Sequence, residues 1–159
     1  MRINDITGTI GEEYVSNTLH RVIGKDRLFR VTPLGAKYEL FDFMVNIIGS
    51  DGAPTGHFFL LQVKAQAIDD FKKPLDIEFT KEEVQMVKLR KVPSYLVGVH
   101  IKGNQQRGYF IALDRNRNTG IYRVPKTHIL KNDSNLLALR AEASNYFDQH
   151  ANIFTSKFV

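Results

Sequence analysis

Two runs of alternating apolar and polar residues, separated by a segment dense in glycine, constrain this chain more than any other feature. Over residues 40–48, Phe41, Phe43, Val45 and Ile47 alternate with Asp42, Met44 and Asn46, a period of two that describes a strand with one strongly apolar face. The following Gly49-Ser50-Asp51-Gly52-Ala53-Pro54-Thr55-Gly56 is rich in residues that accept positive φ or preset a turn. The chain is therefore expected to reverse there into a second strand over residues 58–65, and the unit reads as a β-hairpin. With a symmetric loop, paired residue numbers add to about 104–106. Asp42 then lies opposite Gln62 or Lys64. Alternate side chains share a face, so Gln62 and Lys64 point the same way, and either even register places Asp42 with them.

An acid, an amide oxygen and an ammonium on one face have a chemical use. A hard divalent cation such as Mg²⁺ takes oxygen ligands, which Asp42 supplies as a carboxylate and Gln62 as a carbonyl, with the backbone carbonyl of Val63 in reach and water and phosphate oxygens completing the shell. Such a cation acidifies bound water and offsets charge on a phosphate, while Lys64 orients the nucleophile or stabilises the developing negative charge. That is phosphodiester hydrolysis chemistry. The competing reading is ordinary: Asp42 ends a strand, and Gln62 and Lys64 occupy its wet face.

Asp42 followed by a hairpin into Gln62-Val63-Lys64 resembles the core of the PD-(D/E)XK nuclease superfamily, in which an acid precedes a strand ending in (D/E)-x-K. The likeness covers roughly residues 6–115, judged by the order of elements. Two departures stand out: Phe41 occupies the place of the proline, and Gln62 replaces the second acid. The Q-x-K form resembles the branch that holds methyl-directed restriction endonucleases and related bacterial defence nucleases, at the cost of one charge in the metal site. The order Gly11-Glu12, Asp42, Gln62-Val63-Lys64, Val92-Pro93-Ser94-Tyr95-Leu96-Val97 and Tyr109-Phe110 resembles a small family of bacterial nuclease-like domains.

The resemblance implies an α/β, restriction-endonuclease-like fold with a central mixed β-sheet of about four to five strands flanked by α-helices. It implies one nuclease-like domain over residues 1–159 and hydrolysis of DNA with Mg²⁺ or Mn²⁺, in defence against foreign DNA. Asp42 and Gln62, with Val63, would hold the metal, and Lys64 would be the catalytic lysine. A homodimer is implied where both strands of a duplex are cut. The superfamily commonly adds an acid from its first helix, and Glu12 is the candidate. On a helix over residues 10–23, Gly11, Val15, Leu19 and Val22 form the buried stripe, Glu12 flanks it and Glu13 points away. Thr9-Ile10-Gly11-Glu12 also fits a capping box, in which Glu12 would fold back to the Thr9 amide. Because Gln62 is uncharged, a catalytically inactive nuclease-fold module binding nucleic acid or a protein partner is the alternative function.

Composition agrees with such a domain. At 159 residues and 43% hydrophobic content the chain is ample for one core, and nothing in it marks a linker. Cysteine is absent, which removes disulfides, cysteine-based zinc sites and thiol nucleophiles and suits a reducing cytoplasm. No apolar run approaches the ~20 residues of a membrane span, and Met1-Arg2-Ile3-Asn4-Asp5 lacks a signal-peptide core, so a cytoplasmic protein with no membrane partner is expected. The net charge of +5 is uneven: residues 1–60 hold 6 Lys/Arg and 7 Asp/Glu, the remainder 16 and 10. Lys72-Lys73, Lys88 with Arg90-Lys91, and Arg115-Asn116-Arg117 are short basic clusters suited to a phosphate backbone, or else ordinary solvated surface. Gln66 shares the face of Gln62 and Lys64 and is a further candidate substrate contact.

The remaining pattern supplies the surrounding elements. Thr80-Lys81-Glu82-Glu83 starts a helix with a capping box, carried by Val84, Val87 and Leu89 and ending before Pro93. Residues 95–101 and 109–113 read as strands joined by a polar segment, and residues 28–32 as an edge strand. Residues 69–74 and 116–119 read as polar loops. A last helix over residues 134–150 places Leu136, Leu137, Leu139, Ala143, Tyr146 and Phe147 at helical spacing behind a Ser/Asp cap, and packs on the sheet or on a partner. His57 reads as a strand-start residue beside the turn, because no catalytic partner can be placed for it.

Overall fold

The second strand of the hairpin is apolar on both faces through Phe58-Phe59-Leu60-Leu61, a pattern that requires cover above and below and suits the centre of a sheet. The computed structural model, which describes residues 3–150 and 155–158, places it there. Met1 and Arg2 of the N-terminal segment lie outside the described residues. In chain order the elements are α1 (Ile3–His20), β1 (Val22–Ile23), β2 (Asp26–Arg27), β3 (Phe29–Pro33), β4 (Phe43–Ile48), β5 (Pro54–Ala67) and β6 (Leu75–Phe79). Then come α2 (Lys81–Lys88), β7 (Ser94–Lys102), β8 (Gln105–Ala112), β9 (Ile121–Val124) and α3 (Asp133–Gln149). The central sheet runs β3-β4-β5-β7-β8, with every pair antiparallel except β5 and β7. Two parallel neighbours need a crossover, and residues 68–93, which include β6 and α2, provide it. Among the described residues this is an α/β fold with a mixed five-stranded sheet and three helices.

Both sheet faces are buried. Phe43, Val45, Ile47, Phe59, Leu61, Val63, Val97 and Val99 pack against Val15 and Leu19 of α1 and Leu136, Leu139 and Ala143 of α3. On the other face Leu60 and Leu96 meet Val84 and Val87 of α2, together with Leu75, Phe79, Ile121 and Val124 of a second, two-stranded sheet formed by β6 and β9. Gly98 makes that second layer possible, since a Cβ there would lie 2.6 Å from the Leu75 side chain and 2.9 Å from that of Val124.

The hairpin register is the lower of the two expected, with Phe43 opposite Leu61 and Asn46 opposite Phe58. The turn itself is shorter than the glycine-rich segment suggests. Gly49 and Ala53 close it with a 2.8 Å bond, β5 starts at Pro54, and the extra residues form an irregularity opposite Ile47, where Gly56 takes a φ of 84°. The edge strand and the Thr80–Glu83 capping box are present as read.

Other boundaries move. α1 begins at Ile3, so Thr9 is interior, its hydroxyl bonds the Asp5 carbonyl, and the capping role for Glu12 is excluded. The helix ends at His20, and Val22, expected in its buried stripe, is exposed in β1. Leu89 is the C-cap of α2 and is 80% exposed, beyond the reach of the core that holds Val84 and Val87. In α3 the cap is Asn132, whose side chain accepts from the Asn135 amide, and Leu137 faces outward. Part of the polar segment after Ile101 belongs to β8, because Gly103 at φ 57° turns the chain within two residues. Among the described residues no helix is long and apolar enough to cross a membrane.

His100, completely buried in β7, links the second layer to the sheet through a 3.1 Å bond between its Nε2–H and the Pro74 carbonyl. Burial holds its pKa below the usual imidazole value of 6.5, with the Lys126 ammonium adding to the effect and Pro74 and Asp76 opposing it. An imidazole neutral in the fold but protonated in the unfolded chain makes the unfolded state bind more protons as pH falls. Stability is full above 6.5 and is lost as pH drops toward the depressed folded value. Chemical denaturation between neutral and mildly acidic pH should show this slope, and His100→Gln should flatten it, whatever its effect on stability at neutral pH.

Candidate functional site

The sheet has a notch. The β4–β5 ladder stops at Phe43 opposite Leu61, whereas β5 continues beside β7 to Ala67 opposite Ile101. From Gln62 onward β5 has a neighbour on one side only. The chain that would have continued β4 is diverted by Leu40, a non-glycine residue at φ 73°, and by Phe41, which is buried beneath the guanidinium of Arg90. Asp42 sits at the exit, one residue before β4. Its backbone is still tied on both sides, donating to the Leu61 carbonyl and accepting from the Leu34 amide, each at 2.9 Å.

Its side chain replaces the missing strand. Asp42 Oδ2 accepts from the Val63 amide at 2.7 Å and from Gln62 Nε2 at 2.9 Å, and Gln62 Nε2 also donates to the Val63 carbonyl at 3.1 Å. Lys64, half-buried and on the same face as Gln62, lies close enough for its charge to act on Asp42. Glu12 arrives from α1, whose close approach depends on Gly11: a Cβ there would lie 2.7 Å from the Ala65 Cβ. Glu12 and Asp42 are electrostatically coupled. The structure therefore brings together Glu12, Asp42, Gln62, Val63 and Lys64.

Burial is the largest effect raising the Asp42 pKa, opposed by the Val63 N–H and the Lys64 ammonium. Glu12 is raised as well, first by loss of water and then by the Asp42 charge. The Asp42 carboxylate, the nearby exposed Glu12 and the Val63 carbonyl are the oxygens at hand, while Gln62 presents its nitrogen and Lys64 its ammonium. Among the described residues no three of His, Cys, Asp and Glu converge, so a wholly protein-built cage is not present. The donor set of carboxylate, carboxamide and backbone carbonyl fits Mg²⁺, which binds through one or two carboxylates and keeps water and phosphate for its other positions. As placed, Gln62 turns its Nε2, not its Oε1, toward Asp42 Oδ2 and the Val63 carbonyl, at 2.9 and 3.1 Å. Rotating the carboxamide would exchange this nitrogen for Oε1.

Other candidates lie elsewhere. Gln66 shares the face, but its Oε1 accepts from the Asp76 amide at 3.1 Å and ties β5 to β6. Lys73 pairs with Asp69 at 2.6 Å, and Lys72 is exposed on the same loop. Lys64 pairs with Gly98 near the middle of β7, whereas Arg115 and Arg117 follow the C-terminal end of β8, whose Ala112 pairs with Tyr95, so they stand toward the opposite end of β8 from Arg107. A cavity of about 570 Å³ lined by Pro93, Tyr95, Leu113 and Arg115 is also at that end. His57 stacks on Phe147 at the start of β5, away from the notch. Tyr146 donates to the Lys91 carbonyl, so these α3 rings are used within the chain. Reading basic residues by adjacency missed Lys102 and Arg107, which share the face of Lys64 through the strand registers and lie farther along it, where β5 and β7 finish. The polar hairpin tip that carries them was the available signal. No family model matches the chain, and a search of curated proteins finds no match.

Asp42→Asn keeps an acceptor for the Val63 amide while removing a charge that burial disfavours, whereas Asp42→Ala leaves that amide unpaired at a cost of about 1–3 kcal/mol. At neutral pH thermal unfolding should place Asp42→Asn at or above the wild-type Tm and Asp42→Ala several degrees below it, at about 2–4 °C per kcal/mol. Gly11→Ala should destabilise the fold by about 1–3 kcal/mol through overpacking against Ala65, measured by denaturant titration.

Proposed function

We propose that this chain, over residues 1–159, is a restriction-endonuclease-like domain of the PD-(D/E)XK superfamily in its Q-x-K form, a metal-dependent nuclease that hydrolyses phosphodiester bonds of DNA. The observation that carries this reading is the Asp42 carboxylate bound to the Val63 amide at the open edge of β5, with Gln62, Lys64 and Glu12 gathered round it. Mg²⁺ or Mn²⁺ would be held by Asp42, Gln62 Oε1 and the Val63 carbonyl, and when bound supplies an acidified water and a positive charge against the phosphate. Asp42, fixed by the Val63 amide, contributes a carboxylate that stays in place when Gln62 turns. Gln62 contributes a switchable group, a donor that closes the site on itself or an acceptor once turned. Lys64 directs its ammonium to the attacking water or to a non-bridging phosphate oxygen, and Glu12 accepts a proton or steadies a water. Defence against foreign DNA is the setting the Q-x-K resemblance suggests.

Supercoiled plasmid and labelled single-stranded DNA and RNA, incubated with Mg²⁺, Mn²⁺ or EDTA, test this. DNA cleavage should require metal and fall on the order of 10²–10³-fold in Asp42→Asn and Lys64→Ala. Protons and metal compete for Glu12 and Asp42, whose pKa values are raised, so activity should be lost as pH falls through those values. Added metal should move that acid limb to lower pH; an acid limb independent of metal concentration would contradict the assignment.

One observation favours a second reading. The Gln62 amide nitrogen already satisfies Asp42 and Val63, as it would in a fold that has given up the metal and binds nucleic acid or a protein without hydrolysis. Calorimetry separates the two: Mg²⁺ or Mn²⁺ binding lost in Asp42→Asn supports the nuclease, and no binding with uniformly inert variants supports the module.

A further inference from the structure

Beyond Lys64 the same sheet face carries a row of residues that the strand registers align. Gln66 pairs with His100 on β7, and His100 with Arg107 on β8, so Arg107 stands two strands, about 10 Å, across from Gln66. Lys102 follows His100 by two residues on that face. Over them lies Phe71, with the Arg107 Cζ 4.1 Å and the Lys102 Nζ 5.9 Å from its ring centre. The loop that presents Phe71 is tied down at several points. Ile68 donates to the Ile101 carbonyl at 2.8 Å, the Lys72 amide to Asp70 Oδ1 at 2.9 Å, and Lys126 Nζ to the carbonyls of Phe71 and Lys73. Phe71 is a built support, and the guanidinium stacked on it is held in place.

Asp69 is committed to Lys73 at 2.6 Å and Asp76 to Arg123 at 2.7 Å, while Asp70 accepts from the Lys72 amide at 2.9 Å. Among the described residues, none of Lys72, Lys102 and Arg107 has a carboxylate within ion-pair distance. Lys102 and Arg107, both exposed and gathered over Phe71 at the β7–β8 tip, suit neighbouring phosphates of a chain. Arg115 and Arg117, toward the opposite end of the sheet, are not at this tip.

We propose that the substrate's phosphate backbone, beyond Lys64, passes outside the buried Gly98 and His100 and is held at the β7–β8 tip by Arg107 and Lys102, with Phe71 holding the Arg107 guanidinium for a phosphate. The identity of the polyanion rests on the nuclease reading. The track acts by counterion release and supplies affinity without base specificity.

Fluorescence anisotropy of labelled single-stranded and duplex DNA, across a salt series in Mg²⁺, tests this on the cleavage-silent Asp42→Asn protein. Lys102→Gln/Arg107→Gln should bind about tenfold or more weakly, with the slope of log Kd against log salt smaller by about two. Arg115→Gln/Arg117→Gln should match the parent. Phe71→Leu, which changes no charge, should weaken binding several-fold at an unchanged slope. Parent-like affinity and slope in Lys102→Gln/Arg107→Gln, with a native melting curve, would overturn the track. So would equal losses in the Arg115/Arg117 variant, or equal binding of polyglutamate by the parent. Plasmid cleavage in the otherwise wild-type Lys102→Gln/Arg107→Gln protein with KM unchanged rejects the track and leaves the nuclease standing. Track-dependent binding without metal-dependent cleavage by wild type rejects the nuclease and leaves the track.

Discussion

The Asp42 carboxylate performs the work of a strand that is no longer there. Where β4 ends, the outward amide of Val63 needs an acceptor, and an uncompensated one would cost as much as a lost hydrogen bond. A carboxylate there caps the edge of β5 and in the same stroke is held beside Gln62 and Lys64. The left-handed turn at Leu40 and the buried ring of Phe41 serve it, because they carry the preceding chain out of the plane of the sheet and leave the notch open.

That arrangement sets desolvation against ionisation. Burial pushes the Asp42 pKa up, and its charge raises Glu12, while the Val63 amide and the Lys64 ammonium hold Asp42 partly back. Under the proposed function a cation would relieve that balance, with Gln62 turned to offer its oxygen. Gly11 is the geometric condition, since α1 can bring Glu12 this close to β5 only where a helix residue has no Cβ.

Position decides the meaning of the basic residues more than their number does. Arg115 and Arg117 are adjacent in sequence yet stand toward the far end of the sheet, whereas Lys102 and Arg107, separated by a turn, meet over Phe71. Pairing across strands, which no linear scan displays, collects charges from β5, the loop before β6 and the β7–β8 tip onto one face.

The hairpin, the convergence of Asp42 with Gln62 and the α2 capping box were legible because each follows from short-range rules, the alternation of side chains and the chemistry of turns and caps. Those rules narrow the register only to two, and the mixed character of the sheet comes from the family resemblance alone. β6 and β9 are not among the strands read from the sequence: Leu75, Ile77 and Phe79 do alternate with Asp76 and Glu78, but strands of five and four residues are a faint signal. Helix ends were not legible: α1 starts six residues before Thr9, and Leu89 and Val22 face solvent, because burial at an element's end depends on what packs against it. By itself, the sequence determined which residues share a strand face, since that is a property of the backbone repeat. Only the tertiary structure decided where β4 gives out beside β5, and hence where the Asp42 carboxylate meets Gln62, Val63 and Lys64 and where Glu12 of α1 comes near enough to feel its charge. Those distances depend on contacts between segments far apart in the chain.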